Sequence, residues 1–440
     1  TRGGQALYTD IHIYYEVPPH WAKLPAIGPG GKPTGKLYGE YKADAQRFAR
    51  AICEVFKKGD ATEKPFILPR PLLHISENIL NAEGSSELLQ QACEVASLKG
   101  NMCFVFDRGA DAASFVCHKS CGKNKECFAD ELDKPWLIRS AAIHSVTLNL
   151  PRIAFQAAGD EKKLWKLLRE FAAVAVKTHV QKKDFLEKLL SHADEGPLAA
   201  LAMNNDGFPY LRMNRAFYII GLAGLNELVQ IHLGRQLHET PEALAFGLKI
   251  VEYLQSEAAR WSKESSMKFV LEQSPAETTA YRFARLDLKY YSPAAGRYVK
   301  GDIAEGAIYY TNSTQLNVAA DITPAQRVIR EGLFHQYMEG DVITHLQLGS
   351  YNPGKEELCR FIGDVFHNSA NRQIDFMPEF TSCAACGKTA RGLNERCIYC
   401  GSEEVEGIAH LTRYFSKISS WNKGKLAELK NRKVNRDFSQ

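Results

Sequence analysis

The stretch AAIHSVTLNLPRIAF, residues 141–155, carries the pattern from which the fold of this chain can be predicted. Its first part contains β-branched side chains, which are common in strands. Pro151 interrupts the run, because proline has no backbone N–H to donate to a neighbouring strand. We therefore predict a strand that closes into a turn at Pro151.

Strand-like and helical patterns alternate on both sides of this stretch. Apolar residues spaced three and four positions apart between Ala45 and Phe56, followed by Gly59, predict an amphipathic helix. Further strand-like runs are YTDIHIYY (8–15), NMCFVFD (101–107), AIYYTNST (307–314) and VITHLQLGS (342–350), and longer helical patterns cover 161–194, 215–234, 242–265 and 324–339. This alternation predicts α/β architecture with parallel strands, arranged as a barrel.

The composition is that of an ordinary globular protein. The 440 residues are 45% apolar and 24% charged, enough for one large domain or two of medium size. The 55 basic and 51 acidic side chains give a net charge of +4, so no overall positive field favours nucleic acid as a partner.

Membrane and secretion signals are missing from the sequence pattern. A membrane-spanning helix requires about 20 consecutive apolar residues, and no such run is present. The first residues, TRGGQALYTD, lack the regions of a signal peptide. The 11 cysteines are an odd number and include CxxC pairs, which favours metal or redox use over disulfides. We predict a cytoplasmic protein with no membrane partner.

Two CxxC pairs form the strongest local motif. In CAACGKTARGLNERCIYC, residues 383–400, the cysteines are Cys383, Cys386, Cys397 and Cys400. Each pair can offer two thiolates to one ion, and four thiolates fill a tetrahedral zinc site completely. The spacing predicts a structural zinc ribbon. Free thiols or an iron–sulfur cluster are the alternatives.

Seven collinear motifs resemble class III, anaerobic ribonucleoside-triphosphate reductase, a glycyl-radical family. They are RGGQALYTDI (2–11), VTLNLPRIA (146–154), IIGLAGLNE (219–227), SPAETTAYRFARLD (274–287), YYTNSTQLNV (309–318), PEFTSC (378–383) and WNKGKLAELKNR (421–432). The resemblance implies a ten-stranded α/β barrel over residues 1–380, a zinc ribbon over 381–402 and a glycyl-radical-type loop and tail over 403–440. Because RGGQ lies well inside the family's chain, the resemblance also implies that the family's early barrel strands, a further cysteine and the N-terminal regulatory region are missing before Thr1.

The resemblance also implies a mechanism. In the family, a radical-SAM activase removes hydrogen from a glycine, the glycyl radical oxidises a cysteine to a thiyl radical, and the thiyl abstracts the ribose 3′ hydrogen. Water then leaves from C2′, and formate or a thioredoxin-like protein supplies electrons. The expected partners are a ribonucleoside triphosphate, the activase and a second copy of the chain in a homodimer, without direct nucleic acid binding.

The thiyl residue is assigned by its place before TLNLPRIA. Cys117, in SFVCHKSC, is our choice, with Cys121 and Cys127 as alternative alignments. The segment CHKSCGKNKEC could instead bind a metal through these cysteines and His118, although its spacing matches no common template.

Polar residues near predicted element ends are candidates for substrate binding. Ser274 and Thr278 lie at an expected helix start, where free N–H groups favour a phosphate, although a capping role would fit equally. Asn312 and Ser313, with Thr314 beside them, follow a strand, a position that often faces substrate in α/β folds.

Three further polar residues have two readings each. His144 precedes SVTLNLPR and could point into the pocket or lie satisfied in the core. Asn226 and Glu227, in GLNE, could line the pocket or cap a helix.

One residue departs from the family pattern. Thr412, Arg413 and Tyr414 stand where the family has Thr-Gly-Tyr, so Arg413 occupies the radical glycine position. Glycine serves there because its Cα radical can flatten without a Cβ. Arginine would carry a charge into a dry interior, at a cost of at least several kcal/mol if unpaired. The alternative function is therefore an inactive homologue with a scaffold or nucleotide-binding regulatory role. A zinc-ribbon protein that binds nucleic acid is a third and weaker hypothesis, which depends on the ribbon and on the basic tail KNRKVNR (430–436).

Overall fold

The computed structural model describes residues 9–81, 86–108, 139, 141–204 and 206–438. The strands are β1 (Asp10–Ile13), β2 (Pro25–Ile27), β3 (Pro33–Leu37), β4 (Arg70–Ile75), β5 (Cys103–Phe106), β6 (Ala141–Asn149), β7 (Ala216–Ala223), β8 (Lys268–Glu272), β9 (Lys300–Asp302), β10 (Ala307–Tyr309), β11 (Thr344–Gly349), β12 (Gln373–Pro378), β13 (Phe380–Cys383), β14 (Thr389–Arg391), β15 (Val405–His410) and β16 (Phe415–Lys417).

The helices are α1 (Pro19–Ala22), α2 (Lys42–Lys58), α3 (Glu77–Asn81), α4 (Glu87–Lys99), α5 (Leu150–Ala157), α6 (Glu161–Leu190), α7 (Ala199–Ala202), α8 (Leu225–Leu233), α9 (Pro241–Ser265), α10 (Glu277–Tyr291), α11 (Pro324–His335), α12 (Lys355–Asn368) and α13 (Lys423–Asn431). In the described part of the chain, no helix is both long and apolar enough to cross a membrane.

A five-stranded sheet forms one half of the body, in the order β1-β4-β5-β12-β11. Neighbouring strands are parallel except β5 and β12. Because side chains alternate between the faces of a sheet, Leu73, Phe104 and Ile374 share one face and enter the core formed with α2, α4 and α12. The opposite face, called the inner face below, carries polar groups that include His74 and Asp375.

A three-stranded parallel sheet, β6-β7-β8, forms the other half. Tyr218 and Phe269 pack with α6 and α9 on its outer face, whereas Ile219 and Val270 lie on its inner face. The predicted helix over 215–234 is wrong in its first half, because β7 occupies that stretch and α8 only the remainder. A strand buried on both faces reads as a continuous apolar run, and periodicity cannot distinguish it from a buried helix.

The stretch around Pro151 differs from the predicted turn. The strand β6 ends at Asn149, whose side chain accepts a hydrogen bond of 3.2 Å from the N–H of Arg152. Asn149 therefore caps α5, and Pro151 lies in the first helical turn, where its missing N–H costs nothing. The mixed α/β class is confirmed, whereas the closed ten-stranded barrel and the division into three domains stay predictions.

A four-stranded antiparallel sheet, β14-β13-β15-β16, holds the cysteine motif and leads into the tail. Arg391 fixes it to the body by donating to the carbonyl oxygen of Ser97 at 2.8 Å and also to that of Tyr351. Beyond it, α13 packs against β10 and α10. Phe438 is fully buried in the core of the five-stranded sheet, so the tail is part of the fold.

Candidate functional site

Four thiols converge at the cysteine motif. The Sγ atoms of Cys383 and Cys400 are 3.7 Å apart, those of Cys386 and Cys397 are 3.6 Å apart, and all four lie within 4.8 Å of one another. A tetrahedron with a Zn–S distance of about 2.3 Å has edges of about 3.8 Å. The thiols therefore have the number, chemistry and spacing of a closed tetrahedral metal site.

The backbone supports this geometry with two tight knuckles. Gly387 has a φ of 72°, and Gly401 one of 75°, so each knuckle closes through a left-handed residue that glycine supplies without strain. Backbone N–H groups of Tyr399 and Cys400 lower the pKa of Cys397 to about 6, whereas hydrogen bonds from the other thiols raise the pKa of Cys400. A thiol of low pKa is readily deprotonated, as metal binding requires.

The turn between β15 and β16, residues 411–414, carries Arg413. The Arg413 side chain is only 14% exposed and forms an ion pair with the carboxylate of Asp341, which is 1% exposed. Its guanidinium also donates to the carbonyl oxygen of Gln273 at 3.4 Å. Burial and the neighbouring charge of Arg70 lower the pKa of Arg413 to about 10, so it stays charged at neutral pH.

Arg413 thereby joins elements of both sheets. Asp341 precedes β11 and also accepts from the side chain of Gln373 in β12 at 3.1 Å. Gln273 follows β8, and its N–H donates to the carbonyl oxygen of Asp341 at 3.0 Å. The Arg413 charge, which would be costly if unpaired, is paired with Asp341. Neither Asp341 nor Gln273 carries a local sequence signal that could have revealed this.

Ser274 lies beside this contact, against strand β7. A Cβ built on Gly221 would be 2.0 Å from the Ser274 oxygen and 2.9 Å from that of Thr147, so the strand needs glycine here. Ser274 is 5% exposed, and its hydroxyl has no hydrogen-bond partner among the described residues. Buried polar groups are rarely left without a partner, which indicates that a ligand could complete this site.

Asn312 and Ser313 approach the same end of β7. Asn312 forms an isolated bridge with Ala223, and the side chain of Gln273 donates to Thr314 at 3.4 Å. Within the described part of the chain, the side-chain oxygens of Asn312 and Ser313 also lack hydrogen-bond partners. Ser313 has a φ of 45°, a strained value for a residue with a side chain.

Helix α10 begins at Glu277, three residues after Ser274. Its preceding residue, Ala276, has a φ of 45°, and no side chain caps the helix. Thr278 is in the first turn and is exposed, and the hydroxyl of Thr412 donates to the carboxylate of Glu277. The structure thus brings Ser274, Asn312 and Ser313 together, with the α10 N-terminus and the Arg413 turn beside them.

Asn226 and Glu227 belong to a buried scaffold instead. Asn226 is fully buried and donates to Glu227 and Gln236, both at 3.1 Å, and its oxygen accepts from the N–H of Leu237 at 3.2 Å. Glu227 accepts two hydrogen bonds from Thr311, at 2.7 and 3.0 Å. These contacts hold the 311–315 segment in place beside α8.

His144 lies within β6 and is separated from the other candidates. It is opposite Tyr218, on the helix-covered face, with its ring centroid 5.8 Å from that of His179. Burial and the charge of Lys182 lower the pKa of His144. Cys117, Cys121, Cys127 and His118 fall in residues 109–138, outside the described part of the chain.

A buried network that the sequence did not predict joins Asn149, Arg152 and Asp287. The amide of Asn149 donates to Asp287 at 2.9 Å, and the guanidinium of Arg152 donates to the same carboxylate at 2.8 Å. Burial raises the pKa of Asp287, opposed by these bonds. The motif NLPR contains two of the three residues and was the signal available in the sequence.

Comparisons with known proteins agree with one another. A family model described as anaerobic ribonucleoside-triphosphate reductase matches residues 1–434. The anaerobic ribonucleoside-triphosphate reductase of Salmonella typhimurium is 28% identical over 310 residues, covering 65% of this chain and 41% of that protein. The one from Enterobacteria phage T4 is 26% identical over 258 residues, covering 56% of this chain and 39% of that protein.

Solved structures give the same fold. The anaerobic ribonucleotide reductase from Thermotoga maritima, solved in complex with dATP and CTP, superposes with a TM-score of 0.72 at 18% identity, covering 96% of this chain and 65% of that one. At this identity the likeness concerns the fold. The chain spans about two fifths of the length of its curated relatives.

Proposed function

The chain belongs to the anaerobic ribonucleoside-triphosphate reductase family, and from this premise we propose that it reduces ribonucleoside triphosphates to 2′-deoxyribonucleoside triphosphates by radical chemistry, supplying DNA precursors. The observation that carries the proposal is the group of buried, unpartnered oxygens of Ser274, Asn312 and Ser313 beside the N-terminus of α10. A nucleotide offers hydroxyl and phosphate groups that could satisfy them.

In this proposal the α10 N-terminus and Thr278 hold phosphate, because unsatisfied N–H groups and the helix dipole favour an anion there. Ser274, Asn312 and Ser313 orient the nucleoside. His144 lies on the other face of the sheet. Asn226 donates to Glu227, which accepts two hydrogen bonds from Thr311 and so supports the 311–315 segment. The thiyl radical is assigned to Cys117, with Cys121 and Cys127 as the alternatives.

Zinc is the proposed ion of the four-cysteine site. All four ligands come from protein, so the ion supplies structure rather than an open coordination position. The strand β13, which carries Cys383, pairs with β15, which leads into the Arg413 turn. The ion would thus hold that turn at the pocket.

A second candidate function follows from Arg413. Its ion pair with Asp341 and its bond to Gln273 make arginine a built-in part of the fold. That observation favours a homologue that binds nucleotide and serves as a scaffold or regulator without a radical of its own. A glycyl radical made by a radical-SAM activase, and a homodimer, are properties that the proposal takes from the family.

One anaerobic experiment separates the two functions. The protein is incubated with a radical-SAM activase, S-adenosylmethionine and reductant, and then examined by electron paramagnetic resonance and by conversion of CTP to dCTP. A glycyl doublet with dCTP formation supports the reductase and shows that Arg413 is not at the radical position. Silence in both, with CTP binding retained, supports the second candidate, and loss of CTP binding refutes both.

The matched variants are Arg413→Gly and Ser274→Ala. Arg413→Gly restores a glycine to the turn and should yield the doublet if the register of the family motif is correct. Ser274→Ala removes one of the unpartnered hydroxyls and should weaken CTP binding about five- to tenfold, since a hydrogen bond contributes about 1 kcal/mol. Unchanged binding would remove Ser274 from the proposed pocket.

A further inference from the structure

Two thiols lie in contact between helices α4 and α12, in the core that covers the outer face of the five-stranded sheet. Cys93 is fully buried, whereas Cys359 is 9% exposed, so a small part of the second residue reaches solvent. The Cys93 thiol donates a hydrogen bond to the sulfur of Cys359. Both cysteines are free thiols. They lie outside the four-cysteine site and have no role in the proposed pocket.

The packing of the two helices brings these positions to the same level. The hydroxyl of Ser97, near the end of α4, donates to the carbonyl oxygen of Pro353 at 2.5 Å, just before α12 begins at Lys355. The helices are therefore antiparallel, as are the strands β5 and β12 that follow them. Cys93 is four residues before Ser97, which is about 6 Å along a helix. Cys359 is equally far beyond Lys355, so the two thiols meet across the helix contact.

The hydrogen bond makes the two thiols chemically unequal. Because Cys93 donates to it, the pKa of Cys359 is lowered from its ordinary value. Burial raises the pKa of Cys93, so that sulfur keeps its proton. The thiolate is the reactive form of a cysteine, and a sulfenic acid made from it condenses with a neighbouring thiol. Cys359 therefore has the properties of the attacking sulfur, and Cys93 those of the resolving sulfur.

Two other buried thiols provide a comparison, because each is held in the protonated form. Burial raises the pKa of Cys53, in α2, to about 12. It also raises the pKa of Cys103, on β5, to about 12. A protonated thiol is a poor nucleophile and is oxidised slowly. An oxidant that reaches these four thiols should therefore react first at Cys359.

We propose that Cys93 and Cys359 form a reversible redox pair, a modification site for hydrogen peroxide in the helix layer of the five-stranded sheet. The Cys359 thiolate attacks one oxygen of the peroxide, the O–O bond breaks, and Cys359 becomes a sulfenic acid. The hydroxide that leaves takes up the proton that Cys359 had released and forms water. The chemistry of this pair does not depend on the proposed reductase function.

The second step closes the disulfide. The Cys93 sulfur attacks the Cys359 sulfur, the S–O bond breaks, and the hydroxyl group leaves with the Cys93 proton as a second water. One peroxide is thus reduced to two waters, and two thiols are oxidised to one disulfide. A thiol reductant reverses the change by disulfide exchange, which ends with both thiols restored.

Peptide mapping of the full chain tests the pair without requiring enzymatic activity. Zinc-loaded protein prepared anaerobically is freed of reductant, treated with hydrogen peroxide at pH 7.5, alkylated, and digested without reduction. Mass spectrometry should find a disulfide between Cys93 and Cys359, and dithiothreitol should restore both thiols. Free thiol should be lost at least about tenfold faster at Cys359 than at Cys53, because the fraction of thiolate is larger at Cys359.

Three alanine variants separate the two roles. Cys93→Ala should leave Cys359 as a sulfenic acid that dimedone labels, whereas Cys359→Ala should leave Cys93 unmodified. Cys53→Ala is the matched control, because Cys53 lies in the same core, and it should form the disulfide as the parent does. The map of the parent decides the pair even where a variant fails to fold. A link between Cys53 and Cys93, oxidation of Cys359 that dithiothreitol does not reverse, or thiols that both stay free overturns the proposal.

Discussion

Breaking the ion pair between Arg413 and Asp341 should destabilise the protein far more than breaking an exposed pair. The side chains are 14% and 1% exposed, so removal of one partner leaves a buried charge without its counterion. Such changes cost about 3–5 kcal/mol, whereas exposed pairs contribute about 0–1 kcal/mol. We expect Arg413→Gln and Asp341→Asn each to lower the free energy of unfolding by about 3–5 kcal/mol.

The double variant should lose less than the sum of the two single losses. With both charges removed, no uncompensated charge remains, so the coupling energy should exceed about 2 kcal/mol. For a chain of this length, a loss of 4 kcal/mol corresponds to a fall in melting temperature of about 4 °C, at about 2.1 cal/mol/K per residue.

The assay is urea unfolding of zinc-loaded protein in reducing buffer, followed by circular dichroism and tryptophan fluorescence. Glu403→Gln is the matched control, because its pair with Arg396 is 70% and 71% exposed, and it should change stability by less than about 1 kcal/mol. Losses that add within about 0.5 kcal/mol would refute a buried, coupled pair.

Three further predictions concern the metal, the pocket and pH. Metal analysis should find about one zinc per chain, and Cys383→Ser should release it; full retention would contradict the tetrahedral site. Gly221→Ala should cost about 1–3 kcal/mol and weaken CTP binding, because its Cβ would be 2.0 Å from the Ser274 oxygen; equal stability and affinity by unfolding and calorimetry would contradict that packing. Burial lowers the pKa of His179 to about 4. As the pH falls below about 6.5, this histidine is protonated in the unfolded chain before it is protonated in the folded one. The free energy of unfolding should therefore decrease between about pH 6.5 and 4, by roughly 3 kcal/mol. His179→Gln, which can still donate to Ile219 as the histidine does at 2.9 Å, should remove that loss in urea unfolding at the two pH values.

The local sequence pattern was sufficient to predict features whose geometry depends on a few consecutive residues. The thiols of the cysteine motif converge because each CxxC knuckle is set by a few consecutive residues, and Gly387 and Gly401 are visible in the sequence. The helix over 42–58 follows its apolar spacing, and Gly59 ends it. Motif order also placed Ser274 and Asn312 correctly near element ends.

Tertiary contacts explain what the pattern missed. The partner of Arg413 lies 72 residues earlier in the chain. Backbone hydrogen bonds between the end of β8 and the segment before β11 hold Asp341 beside Gln273, to which Arg413 also donates. His12 and His74 come together because the register of β1 and β4 puts both side chains on the same face. A shift of one residue in that register would move one strand's side chains to the opposite face. The sequence left open whether His144 points into the pocket or into the core, and a register irregularity between Ala142 and His144 in β6 accompanies its place on the helix-covered face.

The pairing of β13 with β15 couples the position of the Arg413 turn to the four-cysteine site. Four residue pairs join these strands, from Phe380 opposite Ile408 to Cys383 opposite Val405. If zinc binds there as proposed, oxidation of the sulfurs would release it, free the end of β13 and loosen β15, which leads into the Arg413 turn. Oxidation at the exposed cysteines would thus disturb the position of Arg413 through the β13–β15 pairing, before any oxidant entered the interior.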